Sequence, residues 1–192
     1  MNELAYQLRY ALPIWLVGFV TDWWPDNRVT IRVRGWLYSR FIPRCGRDLV
    51  VQRRVTLLNV HNLTIGDGVG IATGTWIDAM GGVTLEDGVR ISPYVVLASS
   101  THCFRDGRVL AGESRQGPIR VRTGTWLASH VVVSAGTTVG AGCLVAGNAA
   151  VTKDTPDHVM LGGVPAKVLG PVPELPGNLR GRFKPVEPEA GQ

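Results

Sequence analysis

VRTGTWLASHVVVSAGTTVGAGCLVAGNAAV, residues 121–151, puts an aliphatic side chain at every sixth position: Val121, Leu127, Val133, Val139, Val145 and Val151. Small or hydroxyl residues follow directly, at Ala128, Ser134, Gly140, Ala146 and Thr152. A period of six matches neither the 3.6-residue helical repeat nor the two-residue alternation of a hairpin with one buried face. It matches a strand of about four or five residues followed by a sharp turn, repeated, with one aliphatic per strand pointing inward. Small residues then fill the corners, where backbones crowd. Three such strands close a triangular coil of 18 residues, and stacked coils pair their strands in parallel.

The same system extends upstream with a longer coil. LTIGDGVGI (63–71) and VTLEDGVRI (83–91) match at five of nine positions, twenty residues apart. That lag links Val51, Ile71 and Ile91, then Leu57, Ile77 and Leu97, then Leu63 and Val83, in steps of six, six and eight. TGTWI at 73–77 returns as TGTWL at 123–127, so both blocks belong to one solenoid.

Composition agrees. The 192 residues include 24 glycines and 12 prolines, with 45% apolar and 18% charged residues, which favours many tight turns over a helical bundle and excludes disorder. No Gly-x-y register is present, so collagen is excluded. The net charge of +5 is concentrated: residues 27–54 hold eight arginines against one acid, Asp48. This block adjoins an apolar run, Ala11–Val20, and is not spread with interleaved aromatics as in a nucleic-acid binder. The run is too short to span a bilayer and lacks the flanks of a signal peptide. It reads either as a helical cap on the solenoid or as an interfacial membrane segment across residues 1–44, with Trp23 and Trp24 at headgroup depth. Cys45, Cys103 and Cys143 are odd in number and far apart, which predicts no disulfide framework, no zinc site and a cytoplasmic setting.

The hexads stop at Leu97-Ala98-Ser99-Ser100-Thr101-His102 and resume near Ile119. The polar interval 103–117 is an excursion from a regular scaffold, a usual place for function. His102 opens it. Imidazole titrates near neutrality and can both take and release a hydroxyl proton. His61, His130 and His158 carry no such positional signal. P-loop, GxSxG, HExxH and GxGxxG motifs are absent from the sequence.

With GGVPAK at 162–167, these features resemble the hexapeptide-repeat acyltransferases over about residues 45–170. More narrowly, they are similar to the sugar O-acetyltransferases of bacterial polysaccharide clusters and to galactoside and maltose acetyltransferases. The resemblance implies an all-β fold, a left-handed parallel β-helix over 47–170 with an arm at 103–117. A short N-terminal helical segment (1–46) and an extended Pro-rich tail (171–192) complete it. It also implies a homotrimer with active sites in the clefts between subunits, acetyl-CoA as donor and no metal. His102 would be the general base. Trp76 and Asp78 would face the acceptor. Asp78 stands where the galactoside enzymes carry Asn, so a donor is lost, and a plain turn aspartate is an equal reading. Trp126 would lie near the acyl donor, with coenzyme A along Ser129, Gly147, Thr152, Lys153 and Lys167. Lysine at 167 keeps the charge but not the fork of the arginine common there. The expected acceptor is a sugar or glycan hydroxyl, in a lipid-linked form if the N-terminus reaches the inner membrane face. Alternatives are an antibiotic acetyltransferase and a carbonic-anhydrase-like solenoid, which needs three histidines around zinc.

Overall fold

The six-residue spacing becomes three parallel β faces in a computed structural model that describes residues 2–173. The first face stacks Arg44–Cys45, Leu63–Ile65, Val83–Leu85, Ile119–Val121 and Thr138–Val139. The second runs Val50–Val51, Gly70–Ile71, Arg90–Ile91, Trp126–Leu127, Leu144–Val145 and Val159–Gly162, closed by an antiparallel Lys167–Pro171. The third stacks Thr56–Leu58, Trp76–Asp78, Val96–Ala98, Val132–Val133 and Ala150–Val151. The result is the all-β parallel solenoid expected from the repeat.

Register follows the aliphatic columns. Val51, Ile71, Ile91, Leu127, Val145 and Leu161 lie in one column, each paired with the next. Leu57, Ile77, Leu97, Val133 and Val151 form the second. All of these side chains are buried. Sliding one strand by a single residue would turn its aliphatic outward, so burial fixes the register.

The third column differs from the sequence reading. Ile65, Leu85, Val121 and Val139 are aligned, so the long step of eight lies between the third and first faces, from Leu57 to Ile65. Leu63 and Val83 are buried too, two residues earlier on the same strands, which is why periodicity alone could not place the step. Strand pairing also begins earlier than expected: Arg44–Cys45 pairs with Thr64–Ile65, inside the stretch assigned to the helical segment.

At the corner between the first and second faces, carboxylates stitch coil to coil. Asp67 accepts the Arg47 N–H at 2.7 Å, Asp87 accepts the Asp67 N–H at 2.7 Å, and Asp157 accepts the Ala141 N–H at 2.9 Å. The Arg47 N–H and guanidinium hold the Asp67 carboxyl below its usual range. The Ala141 N–H and then Arg122 do the same for Asp157. Burial and then the charge of Asp67 push the Cys45 thiol up to about 11, so it is not a thiolate at neutral pH. Cys45, Cys103 and Cys143 are all free.

The N-terminal segment caps the base. Helix α1 (Glu3–Tyr6), a π turn at Gln7–Ala11 and helix α2 (Leu12–Thr21) run into one another, and helix α3 (Thr30–Ser39) returns across the first coil. Arg34, one of the eight arginines of the basic block, is fully buried. Its guanidinium donates to Thr21 Oγ1 (3.1 Å), the Thr21 carbonyl (2.9 Å), the Val51 carbonyl (3.0 Å) and Asp26 (2.9 Å). One side chain thus ties α2, α3 and the second face together. Gly35 permits it, because a Cβ there would run into the Leu49 carbonyl. The tail expected over 171–192 lies outside the described residues from 174 onward; Pro171 ends the last strand.

Two outcomes follow. Arg34→Ala strands the partners of a buried charge and is expected to lower stability by about 3–5 kcal/mol, read from urea unfolding followed by tryptophan fluorescence. A carboxyl held below its usual range in the fold contributes stability that is complete above its unfolded pKa. That stability disappears as pH falls through the lowered, folded value. Denaturant midpoints should therefore hold at neutral pH and decline on the acid side of the carboxylate range, with a shallower decline in Asp157→Asn.

Candidate active site

The corner between the third and first faces is the one with spare chain length, and the arm leaves from it. Ser99 donates to the Asp78 carbonyl (2.7 Å) and accepts the Gly81 N–H (2.9 Å), which fixes the two-residue extension of the coil below. The Gly117 N–H returns to the Ser99 carbonyl at 3.0 Å, so the arm departs and re-enters at one point. A Cβ on Gly117 would lie 2.6 Å from the Gly136 nitrogen, and only glycine fits that seam.

Where sequence suggested a loop over 103–117, the chain forms an antiparallel hairpin, Ser100–Arg105 against Arg108–Gln116, turning at Asp106-Gly107. An Asp-Gly pair between strand-forming residues is a hairpin turn signal, and it was present to be read. His102 lies on the first hairpin strand opposite Ser114, two residues out from the corner, and is exposed. The register jumps between His102 and Phe104, a bulge of the kind that re-aims side chains. Thr101, next to His102, lines a hollow of about 330 Å³ with Arg115, Ala135 and Gly136 at the root of the arm.

Asp78 is buried at this corner, unlike the turn residues Asp67 and Asp87. Its Oδ1 accepts from Asn59 Nδ2 (2.7 Å) and the Met80 N–H (3.0 Å); Ser100 reaches Oδ2 at 3.5 Å. Asn59 in turn donates its N–H to the Tyr6 hydroxyl at 3.2 Å, linking the N-terminal helix to the corner. Neither Asn59 nor Ser100 was singled out by sequence, because each matters only through Asp78. Trp76 lies half-buried on the third face beside Val96. Thr152 and Lys153 are exposed at the same corner as the arm, one coil beyond Ser134 and Ala135.

The other candidate donor residues gather elsewhere. Trp126, 46% exposed on the second face, donates its indole N–H to Ser92 Oγ at 2.7 Å. It borders an open groove of about 560 Å³ with Gln52, Ala72, Arg90 and Pro93. Ser129 and Gly147 stack at the corner between the second and third faces, where the Asn148 N–H reaches the Ser129 carbonyl at 3.1 Å. A Cβ on Gly147 would approach that carbonyl to 3.2 Å, so a bare backbone is kept at an exposed corner. Lys153 and Lys167 are exposed and make no ion pair among the described residues. An indole face, exposed backbone amides and two unpaired ammonium groups fit a long ligand with amides and phosphates. Within one chain, the third face separates the Trp126 groove from the His102 arm.

The histidines occupy four different surroundings. His61 packs on Tyr6 and Tyr10, His130 stacks on Tyr94, and the His158 N–H bonds to the Ala141 carbonyl. Among the described residues, no group of three or more His, Cys, Asp or Glu side chains is arranged to hold a metal.

The fold and the site define a hexapeptide-repeat solenoid, and known proteins agree. Galactoside O-acetyltransferase of Escherichia coli K12 is 36% identical over 87 residues, 45% of this chain and 43% of that one. The chain therefore spans under half of that relative. The putative colanic acid biosynthesis acetyltransferase WcaF of the same organism is 27% identical over 168 residues, 88% of this chain and 87% of that one. A crystal structure of galactoside acetyltransferase in complex with coenzyme A superposes with a TM-score of 0.76 at 26% identity, covering 90% of this chain and 84% of that one. No family profile matches the chain. The resemblance to the hexapeptide-repeat acyltransferases holds in both sequence and fold, and the similarity is to the galactoside and polysaccharide members.

Removing the Asp78 carboxylate leaves Asn59 Nδ2 and the Met80 N–H without acceptors. Asp78→Ala should cost about 1–3 kcal/mol in urea unfolding, and Asp78→Asn, which keeps one oxygen, distinctly less.

Proposed function

We propose that this chain transfers an acetyl group from acetyl-CoA to a hydroxyl of a sugar or polysaccharide precursor, working as a homotrimer on the cytoplasmic side. The observation that carries the reading is the placement of His102 on a hairpin at the corner that also carries Asp78, Thr152 and Lys153. The similarity to galactoside acetyltransferase and WcaF supports the acyl chemistry and the kind of acceptor.

Trp126, Ser129, Gly147, Thr152, Lys153 and Lys167 would hold the donor. In one chain they sit on two corners and a groove, so a neighbouring copy facing the third face is what completes a single cleft. Lys153 and Lys167 would pair with phosphates as point charges, and the bare amides around Gly147 would meet the amides of the pantetheine arm. When bound, acetyl-CoA supplies a thioester-activated acetyl group.

His102 supplies the base. Its imidazole accepts the proton of the acceptor hydroxyl as the oxygen–carbon bond forms and the carbon–sulfur bond breaks, and it returns that proton to the sulfur. Nearby backbone N–H groups support the negative charge that develops on the carbonyl oxygen. Trp76 offers an apolar face to a sugar ring. Asp78, with Oδ1 already engaged, has Oδ2 left for a sugar hydroxyl or for the root of the arm. Contact of residues 1–44 with a membrane, and a lipid-linked form of the glycan, belong to the same proposal.

Thiol release from acetyl-CoA, measured against a panel of sugars and glycans, tests the reading. His102→Ala should lower kcat by ~10²–10⁴-fold with an unchanged circular dichroism spectrum. Turnover that survives the substitution intact removes His102 from the mechanism.

A further inference from the structure

A helix that is apolar on every side belongs in an interior. Helix α2 is such a helix, yet only Ile14, Val17 and Thr21 of it are buried. Its outward side presents Leu12, Trp15, Leu16, Phe19 and Val20, each about half exposed, and Trp23 just beyond is 82% exposed. At about 100° per residue, positions 12 to 20 of this set sweep an arc of roughly 140° with no polar side chain in it. Leu4 and Leu8 extend the stripe through the preceding turns, at 68% and 59% exposure. A run of exposed apolar side chains like this on a folded protein marks an interaction surface.

We infer that this face docks on an anionic lipid surface, with the helix lying in the interfacial plane. The charge around it selects that occupant. Helix α3 closes an apolar seam against α2 through Leu37 and Phe41. Along and beyond α3, Arg28, Arg32, Arg40 and Arg44 are exposed and form no ion pair among the described residues. Arg40 lies over the exposed Trp36 ring, 4.6 Å from its centroid. An apolar stripe with exposed tryptophans on one helix, beside unpaired arginines along the next, is a surface suited to anionic lipid. A second copy placed face to face would bring the same arginines against one another. Among the described residues no helix is long and apolar enough to cross a membrane. The buried side of α2, clamped by Arg34, keeps the segment on the protein, so it lies on the surface and does not enter as a span.

This deepens the membrane-contact part of the proposal and is independent of the acetyl-transfer chemistry. The test is flotation of the full chain with vesicles of phosphatidylcholine alone or mixed with phosphatidylglycerol, alongside light scattering and thiol release with a soluble sugar. The intact chain should float with the anionic vesicles and lose binding as salt rises. Leu16→Glu with Phe19→Glu should weaken partitioning on the order of a hundredfold. Arg32→Glu with Arg40→Glu should weaken it by about tenfold or more. Thiol release and circular dichroism should be unchanged in both variants, which separates this outcome from a failure of His102 chemistry. Absence of flotation, or equal flotation of intact and variant chains, overturns the inference. So does a Leu16→Glu, Phe19→Glu protein that dissociates from a larger assembly while its vesicle binding stays the same, which would give the face to a second copy. Flotation that appears only after deletion of residues 174–192 would give it to the chain's own C-terminal segment.

Discussion

One inward aliphatic per six residues, resting on its equivalent in the next coil, is the contact on which everything else depends. Parallel pairing supplies the hydrogen bonds, but pairing alone does not choose a register. The columns through Val51, Leu57 and Ile65 choose it, because any slip exposes an aliphatic on every strand that moves. Corners are then free to vary, provided that they meet the next coil with small residues or with a side chain that caps it.

The three corners are used differently as a result. The corner between the first and second faces is closed by carboxylates that accept N–H groups from adjacent coils, and those coil-to-coil bonds hold the Asp67 and Asp157 carboxyls below their usual range. The corner between the second and third keeps bare backbone at Gly147, against the Ser129 carbonyl. The corner between the third and first carries extra residues in its early coils and, after Ala98, a whole hairpin. Four of the residues proposed for function sit where the repeat is relaxed: His102 on the hairpin, Asp78 beneath it, Thr152 and Lys153 above. A rigid column next to an extendable corner lets a loop vary without disturbing the core.

The base of the solenoid poses another problem, since a first coil has no coil below it. The N-terminal helices meet that need on one side through Ile14, Val17 and Tyr38, and the buried Arg34 satisfies the Val51 carbonyl while holding Asp26 and Thr21. Burial, with the charge of Asp22 second, pushes the Tyr38 hydroxyl up to about 12, so it stays neutral in this seat. The same helices leave an outward face as apolar as the inward one. A cap needs only one such face.

Residue spacing alone is enough for the solenoid, the position of its interruption and the identity of the histidine beside it, because a six-residue period and its failure are properties of spacing. The same spacing turns Trp126 and Trp76 outward, since each precedes an inward residue. It could not locate the long step, because Leu63 and Ile65 are both apolar and both buried. It counted Arg34 with its exposed neighbours, because composition gives charge but not burial. It gave the arm as a loop, although Asp106-Gly107 carried the turn, and it could not foresee that Asn59 and Ser100 converge on Asp78 from different coils. Those are facts about residues distant in the chain and adjacent in space, and only the stacking of one coil on the next decides them.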